Sequence, residues 1–364
     1  MKLYAAAFSE QGRQLIKKIE KIPLAIDYGT IPLFCRGEKV QDPVRISVRE
    51  REPLEDWVSL AFAKGLPIVF VGAAGIAVRA LASLPKNKGT DSPVLVVDEE
   101  AGFVIPLLSG HIGGANELAV QLAKGLGAIP VITTATDVKG VFAVDVFARK
   151  NNLSVVDSKG IAKISARLLR GERVHMAVEN LEQEQLQRLG APDEIGLVPW
   201  SGRMIQRPEI VVSSDERDFA DAELGLKFRD YVLGIGCKKG KSVEELAEWL
   251  RQAQRDGMLQ SERVAAVASI DRKREEPGLW ELAQQLRRPL YVFSGEELRA
   301  LPGNYTVSTF VEQTVGVDNV CERAAVAAAG GMLVLNKKTY NGMTFAVAKI
   351  SGACAKKRSV RFDG

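Results

Sequence analysis

Residues 106–119 limit the possible folds of this chain strongly, because an apolar run, three glycines and a helical pattern follow one another there. Residues 103–108 are apolar and predict a buried strand, which the glycines at 109–114 interrupt. From Ala115 onward, leucines recur at the spacing of one helix face. Backbone N–H groups in such a turn are open to a carboxylate, a phosphate or a developing oxyanion. His111, one of only two histidines in the chain, lies inside this turn.

A second pattern of the same kind comes earlier in the chain. Residues 67–71 predict a strand, and residues 72–79 predict a glycine turn that begins a helix. Two more apolar runs, at 94–98 and 130–132, predict further strands. Open α/β sheets bind ligands at the carboxyl ends of their strands. Both glycine turns are therefore expected side by side at that edge of a mainly parallel sheet.

The last third of the chain begins with the same scheme. Residues 231–242 predict a strand and a lysine-containing glycine turn, and Ser242 with Glu245 predicts a capping box at the start of a helix. From about residue 138 to this point the elements are shorter and more charged. The chain is therefore expected to be an α/β protein, in which N-terminal and C-terminal α/β domains with mainly parallel sheets are joined by a smaller middle α/β segment. The expected domains are 1–137, 138–229 and 230–364.

The composition is that of a globular protein and argues against several function classes. The chain is 46% hydrophobic and 26% charged, and 49 Lys and Arg against 45 Asp and Glu give a net charge of +4, too weak to suggest nucleic acid. Its longest apolar stretch, residues 66–78, is shorter than the roughly 20 residues of a membrane-spanning helix. The four cysteines form no Cys-x-x-Cys pair. We therefore expect neither a metal site nor a disulfide framework, and a cytoplasmic location.

The glycine turns match no nucleotide-binding motif. Neither the turn at 109–114 nor that at 234–240 has the G-x-G-x-x-G spacing, and residues 236–242 are one residue short of a phosphate-binding loop. A nucleotide-binding α/β protein is therefore disfavoured. Close packing of a helix on a sheet remains an alternative explanation for the glycines.

Several side chains in and near the turns have two or more interpretations. His111 is a general base with a pKa near neutrality, an electrophile aimed at a carbonyl, or a loop histidine with satisfied hydrogen bonds. Glu117, in the first helical turn, is catalytic or favoured there by the helix dipole. Cys237 precedes a helix beside lysines, which lowers a thiol pKa, although a small packed residue is the more common role. The lysine cluster at 238–241 binds an anion or forms a solvated face.

Several segments carry the residues of one known family. They are 75–80, 107–119, 131–137, 234–240, 268–271, 276–282 and 316–325. In these segments, which extend over most of its length, the chain resembles the CbiG family, the cobalt-precorrin-5A hydrolases of anaerobic cobalamin biosynthesis.

The resemblance implies a reaction and a division into three regions. The reaction opens the ring-A acetate δ-lactone of cobalt-precorrin-5A and releases the former meso carbon with its methyl group as acetaldehyde, giving cobalt-precorrin-5B. The C-terminal region is implied to be similar to a separate small protein of the aerobic cobalamin route. Because the cobalt arrives with the substrate, we expect no cofactor and no metal bound by the protein itself.

The resemblance also selects site residues. The catalytic candidates are His111, Glu117 and Asp137, and which of them is the base stays open. The residues expected to bind the carboxylate-rich substrate are Arg79, Ser109, Gly110, Gly113, Gly114, Asn116, Thr133, Thr134, Gly236, Cys237, Lys238, Lys239 and Lys241.

The alternative function is a non-catalytic protein that binds and carries corrinoid intermediates of the same pathway. The expected partner is the cobalt-corrinoid substrate, with transient contacts to other enzymes of the pathway and with neither nucleic acid nor membrane. The sequence makes no prediction of the oligomeric state.

Overall fold

A computed structural model describes residues 1–40, 44–87, 90–179, 181–200, 207–358 and 360–362. The chain divides into two compact units. Unit 1 consists of Met1–Asp27 and Gln41–Val146, and unit 2 consists of Tyr28–Val40 and Phe147–Gly364. The domain boundaries expected at residues 137 and 229 stay a prediction.

The described strands and helices alternate along most of the chain. The strands are β1 (Lys2–Ala7), β2 (Glu38–Lys39), β3 (Arg45–Val48), β4 (Ile68–Val71), β5 (Val94–Val97), β6 (Phe103–Leu108), β7 (Ile129–Pro130), β8 (Leu153–Val155), β9 (Val174–Val178), β10 (Ile195–Pro199), β11 (Ile210–Ser213), β12 (Leu224–Phe228), β13 (Tyr231–Cys237), β14 (Val264–Ile270), β15 (Leu290–Phe293), β16 (Leu333–Tyr340) and β17 (Met343–Lys349). The helices are α1 (Glu10–Ile19), α2 (Leu54–Ala63), α3 (Ala74–Leu81), α4 (Ala115–Leu126), α5 (Ala135–Lys139), α6 (Val144–Lys150), α7 (Ser158–Leu169), α8 (Gln183–Gln187), α9 (Val243–Arg255), α10 (Pro277–Gln285), α11 (Gly295–Ala300), α12 (Thr309–Val315), α13 (Val320–Ala329) and α14 (Gly352–Ala355), with 3-10 turns at Glu216–Phe219, Ser261–Arg263 and Asp271–Lys273.

Unit 1 is built on a sheet with the order β3-β1-β4-β5-β6-β7. The central strands β4 and β5 are buried along their whole length. Continuous apolar runs of this kind are typical of strands covered on both faces. The β3-β1-β4-β5 part is parallel, whereas β5 and β6 are antiparallel and β6 and β7 are again parallel.

The direction of β6 overturns one expectation. Val94 at the start of β5 pairs with Leu108 at the end of β6, and Val97 pairs with Val104. The turn after β6 therefore lies at the opposite edge of the sheet from the turn after β4, and the expected side-by-side placement is wrong. The cause is the short connection at residues 98–102, where Asp98 accepts hydrogen bonds from the amides of Glu100 and Gly102 (both 3.2 Å). So few residues can join antiparallel neighbours but cannot return the chain for a parallel strand.

Unit 2 contains two further sheets. The first has the order β10-β9-β11-β12-β8, parallel apart from β8. The second has the order β16-β17-β13-β14-β15-β2, with β13, β14 and β15 parallel and the outer strands antiparallel. The expected α/β class with mainly parallel sheets is confirmed.

Helices cover both faces of the second sheet. Val232 belongs to the core formed with α13, whereas Leu233 and Ile235 belong to the core formed with α9 and α10. Only glycine fits at position 234 of β13, because a Cβ there would lie 1.9 Å from the carbonyl oxygen of Cys321 in α13. The predicted glycine at this strand is thus explained by close helix packing.

The segment 28–40 packs against the second sheet of unit 2, although the other strands of that sheet come from the last third of the chain. β2 pairs with β15, and Ile31 lies in the core with α13. The amides of Phe34 and Cys35 donate to the carbonyl oxygens of Ala328 (3.2 Å) and Ala327 (2.9 Å). An early segment of the chain therefore completes the edge of the sheet formed by its last third.

Candidate active site

The turn after β6 is held in shape by contacts that only glycine permits. A Cβ at Gly110 would lie 2.6 Å from Oδ1 of Asn116, and one at Gly113 would lie 2.5 Å from Cβ of Ser109. Gly114 precedes α4 with φ of +86°, a conformation that side chains disfavour. Ser109 also has a positive φ, +54°, and its Oγ donates to the carbonyl oxygen of Asp91 (2.9 Å). The turn therefore has little freedom to move.

His111 projects from this turn into a pair of carboxylates. Its Nε2 lies 2.7 Å from Oδ2 of Asp137, and its Nδ1 lies 3.1 Å from both carboxylate oxygens of Asp145. Thr136 Oγ1 is a more distant neighbour of Nε2, at 3.4 Å. The His111 side chain is 13% exposed, so water reaches only a small part of the imidazole.

Asp137 is the carboxylate of this cluster that faces solvent. Its side chain is 36% exposed, against 11% for Asp145. Nδ2 of Asn116 donates to Oδ2 of Asp137 and to Oγ1 of Thr134 (both 2.9 Å). The start of α4 and the start of α5 are thereby tied together around His111.

The two carboxylates control the protonation of His111. Burial lowers the pKa of its imidazole, but hydrogen bonds and charge attraction from Asp145 and then Asp137 outweigh burial and raise the pKa to about 9. The imidazolium is therefore the resting form at neutral pH, and both ring nitrogens donate. Because a protonated imidazole cannot accept a proton, this arrangement favours a role of His111 as an electrophile or hydrogen-bond donor over a role as general base.

We predict that His111 in the folded protein titrates near pH 9. Because this pKa exceeds the unfolded value of 6.5, the resulting stabilisation is fully present below pH 6.5 and disappears as the pH rises through 9. From the pKa difference it amounts to roughly 3 kcal/mol. The measurement is an NMR titration of the imidazole in His175→Gln, which leaves His111 as the one histidine of the chain.

Asp145→Asn supplies the matched comparison for this titration. Asp145 is the larger of the two influences that raise the pKa of His111, so its neutralisation should move the NMR midpoint to lower pH. A midpoint below pH 7 in the protein with Asp145 intact would contradict the imidazolium assignment.

Other predicted residues of the turn have defined surroundings. The Gly114 N–H donates to the carbonyl oxygen of His111 (3.0 Å), so this N–H is not available to bind an oxyanion. Glu117 lies half-buried in the first turn of α4. Thr133 is exposed next to Thr134, the residue that caps α5.

No described contact links Arg79 to His111, Asp137 or Asp145. Its Nη1 donates to the carbonyl oxygen of Gly75 in the same helix (3.2 Å). The side chain lines a shallow surface pocket whose other described residues come from α3 and from the start of α2, among them Leu54 and Asp56.

The lysine cluster lies in unit 2, after β13. Lys238 and Lys239 are exposed, whereas Nζ of Lys241 is paired with Glu245 (2.6 Å). A Cβ at Gly236 would lie 2.7 Å from Oγ1 of Thr344.

Cys237, in the same stretch, is not an activated thiol. Burial is the main influence on its pKa and raises it, with Glu276 adding to the increase while Lys273 and Lys241 oppose it. The neighbouring lysines do lower the thiol pKa, but burial outweighs them, so the net pKa is raised.

Asp145 and Thr136 were not among the site residues predicted from the sequence. Asp145 follows the expected boundary at residue 137, in a region where the sequence pattern indicates no catalytic group. A signal was present: Asp145 stands between Val144 and Val146 in an apolar run, and a carboxylate buried there needs a partner. His111 is that partner.

The described part of the chain has neither a cluster of metal ligands nor a membrane-spanning helix. Within these residues, no set of three or more His, Cys, Asp and Glu side chains has a geometry that could hold a metal ion. None of the described helices combines the length and hydrophobicity needed to cross a membrane.

Models of a known family match three successive regions of the chain. The model of the cobalamin synthesis G N-terminal region matches residues 56–137, that of the cobalamin biosynthesis central region matches 142–224, and that of the cobalamin synthesis G C-terminus matches 231–348.

Two relatives align with most of the chain and a third aligns with part of it. A cobalt-precorrin-5A hydrolase of Salmonella typhimurium (strain LT2) is 35% identical over 290 residues, covering 78% of this chain and 82% of that protein. A cobalt-precorrin-5A hydrolase of Priestia megaterium is 29% identical over 360 residues, covering 94% of each. Protein CobE of Sinorhizobium sp is 29% identical over 130 residues, covering 35% of this chain and 84% of CobE.

Proposed function

The chain belongs to the CbiG family, and from this premise we propose that it is a cobalt-precorrin-5A hydrolase of anaerobic cobalamin biosynthesis. The observation that supports a hydrolytic site in this chain is the contact between His111 and Asp137 (2.7 Å) at the end of β6. It joins a solvent-facing carboxylate to a cation in a turn that has little freedom to move.

The proposed reaction has two steps. In the first, water adds to the carbonyl carbon of the ring-A acetate δ-lactone, and the ring C–O bond breaks to give a carboxylate and an alcohol. In the second, the alcohol loses its proton and becomes the carbonyl of acetaldehyde. The bond between that carbon and the macrocycle breaks, and its electron pair remains on the macrocycle, which takes up a proton.

Asp137 is the base in this proposal. Both described hydrogen bonds to its carboxylate, from His111 and Asn116, are accepted by Oδ2. This leaves Oδ1 of a part-exposed side chain to accept a proton from water in the first step and from the alcohol in the second. Asp145 is less exposed and serves to hold His111.

His111 acts as a fixed cation and hydrogen-bond donor. Its imidazolium orients Asp137 through Nε2–H and places a positive charge beside the carbonyl oxygen that becomes negative when water adds. Charges positioned before the reaction stabilise such an oxyanion without reorganisation in the transition state. Asp145 and the glycine turn keep the imidazole in place.

Substrate binding and location complete the proposal. The cobalt is part of the substrate, so we expect no resident cofactor. Lys238 and Lys239 offer exposed cations for the carboxylates of the corrinoid. The four cysteines are free, which is compatible with the proposed cytoplasmic location. Transient contacts to other enzymes of the pathway are also part of the proposal.

The test is an incubation of the pure full-length chain with cobalt-precorrin-5A. Acetaldehyde release together with formation of the opened acid is expected. Tight binding of the corrinoid without either product would instead indicate the non-catalytic carrier.

We predict that Lys238→Ala combined with Lys239→Ala raises KM and leaves kcat nearly unchanged. Ammonium groups near carboxylates contribute equally to the ground state and the transition state, so their loss weakens binding alone. Steady-state kinetics with cobalt-precorrin-5A measure both constants.

A matched control exists for the lysine pair. Lys17→Ala combined with Lys18→Ala removes two adjacent, exposed lysines at the end of α1 and should change neither constant. A large fall in kcat at saturating substrate for the 238/239 pair would contradict the binding role.

A further inference from the structure

Unit 2 contains a cavity of about 220 Å³, and the charged residues among its described lining are all basic. The described residues that line it are Thr30, Ile31, Pro32, Asn151, Asn152, Phe228, Arg229, Ala265, Lys357 and Arg358. The cavity is formed where the early segment 28–40, the turn before β8, the end of β12 and the end of α14 meet. It is smaller than the 300 Å³ or so at which pockets for drug-sized ligands begin, so it suits a small ligand or one group of a larger one.

Arg229 is the unusual residue of this cavity. Its Nε is buried and has no hydrogen-bond partner among the residues that the structure describes. Arg358 beside it is fixed, because its Nη2 donates to the carbonyl oxygen of Arg229 (2.8 Å). Burying a cation without a counter-ion is strongly unfavourable, so such a group is expected to bind an anion.

The neighbouring carboxylates are engaged elsewhere. Asp230 follows Arg229 directly, but its Oδ1 accepts a hydrogen bond from Nε of Arg263 (2.9 Å). Glu179 accepts hydrogen bonds from Oγ of Ser213 (3.0 Å) and the amide of Ser214 (2.9 Å). The described lining residues include no carboxylate, and these two nearby carboxylates are paired with other groups. Neither is therefore left to neutralise Arg229.

The cationic character of the region is reinforced by a further arginine. Burial lowers the pKa of Arg229 to about 10, which still leaves it charged at neutral pH. Burial also lowers the pKa of Arg288, and the charges of Arg229 and Arg287 lower it further. Like charges are thus held close together, as in sites that bind anions.

Asn152 adds an unused acceptor to the same cavity. Its Nδ2 donates to the carbonyl oxygen of Ala265 (2.6 Å), which fixes the orientation of the amide. Its Oδ1 is buried and has no partner within the described part of the chain. A ligand that satisfies both Arg229 and Asn152 must carry anionic oxygens and also an O–H donor.

We infer that this cavity is a binding site for inorganic phosphate, in its hydrogen phosphate form. Hydrogen phosphate carries negative oxygens for Arg229 and Lys357 and an O–H for Oδ1 of Asn152, whereas an ionised carboxylate has no O–H to offer. The inference does not rest on the proposed hydrolase activity, because binding is measured without any corrinoid.

The experiment is calorimetric titration of the full chain with sodium phosphate near pH 8, at an ionic strength held constant with chloride. Saturable binding is expected, with succinate binding more weakly at the same ionic strength. No saturable phosphate binding up to tens of millimolar, or equal binding of succinate, would overturn the inference.

Arg229→Met separates a ligand role from a structural one. Loss of charge-assisted hydrogen bonds should weaken phosphate binding by about 10- to 100-fold. In phosphate-free buffer the melting temperature of Arg229→Met should equal or exceed that of the original chain, because an unpaired buried cation has been removed. A lower melting temperature with unchanged phosphate affinity would show that Arg229 serves the fold alone.

A milder pair of variants covers the case in which Arg229→Met fails to fold. Lys357→Ala removes an exposed cation that lines the cavity, and Lys356→Ala removes its exposed neighbour that does not. Weaker phosphate binding in Lys357→Ala alone supports the site. Equal effects of the two variants would indicate only a general attraction of anions to this surface and would contradict it.

A competition experiment tests the requirement for an O–H. The phosphate group of glycerol 3-phosphate carries no O–H near pH 8, so we expect it to displace inorganic phosphate much more weakly than phosphate itself does. Displacement with at least equal affinity would contradict the hydrogen bond to Oδ1 of Asn152 and overturn the inference.

Discussion

His111→Ala is expected to lower kcat for cobalt-precorrin-5A by a factor of about 10² to 10³, the range typical of losing one group that stabilises a developing oxyanion. The variant removes the cation that holds Asp137 at 2.7 Å and Asp145 at 3.1 Å. Corrinoid affinity should change little, because the exposed lysines remain. The measurement is single-turnover mass spectrometry, in which the bound intermediate keeps the mass of the closed lactone.

The identity of the replacement distinguishes the roles of His111. His111→Asn keeps a hydrogen-bond donor but loses the charge and the ability to exchange a proton. Activity partly restored by Asn relative to Ala would support the donor role inferred from a pKa of about 9. His175→Ala, at the second and exposed histidine, is the control and should leave kcat unchanged. Turnover of His111→Ala at the original rate would show that the histidine is structural.

The sequence predicted the local chemistry of the turn at 109–114 because its cause is local. The glycines at 110 and 113 are dictated by contacts with Asn116 and Ser109, within six residues of each other. The helix after the turn follows from the periodicity of its leucines. The sequence selected both His111 and Asp137 as catalytic candidates, but it did not predict the contact between them.

The features that were missed depend on contacts distant in sequence. The direction of β6 is set by the short connection at 98–102, and the hydrophobic pattern of a buried strand is the same whichever way it runs. Asp145 lies 34 residues from His111, so their contact cannot be predicted from their separation in the sequence. The pairing of β2 with β15 joins Glu38 to Val292 across most of the chain, and a two-residue exposed strand carries almost no pattern of its own.

Asp137→Asn is expected to reduce kcat by about 10² to 10⁴ as well, with the substrate still bound. The change is isosteric and keeps an oxygen that can accept hydrogen bonds from His111 and Asn116, but an amide cannot take a proton from water. Glu100→Gln, at an exposed carboxylate in the same unit, removes the same charge and should have no effect. An Asp137→Asn protein with the original kcat would transfer the role of base to Glu117 or Asp145.

The double variant His111→Ala with Asp137→Asn decides whether the two side chains act together. If His111 works by orienting Asp137 and stabilising the charge that develops as Asp137 accepts a proton, its loss matters little once the base is absent. The double variant should then be about as slow as the slower single variant, since residues that act as a unit are strongly non-additive. Independent roles would instead multiply the two factors. A rate reduction equal to that product would contradict the coupling implied by the 2.7 Å contact between Nε2 of His111 and Oδ2 of Asp137.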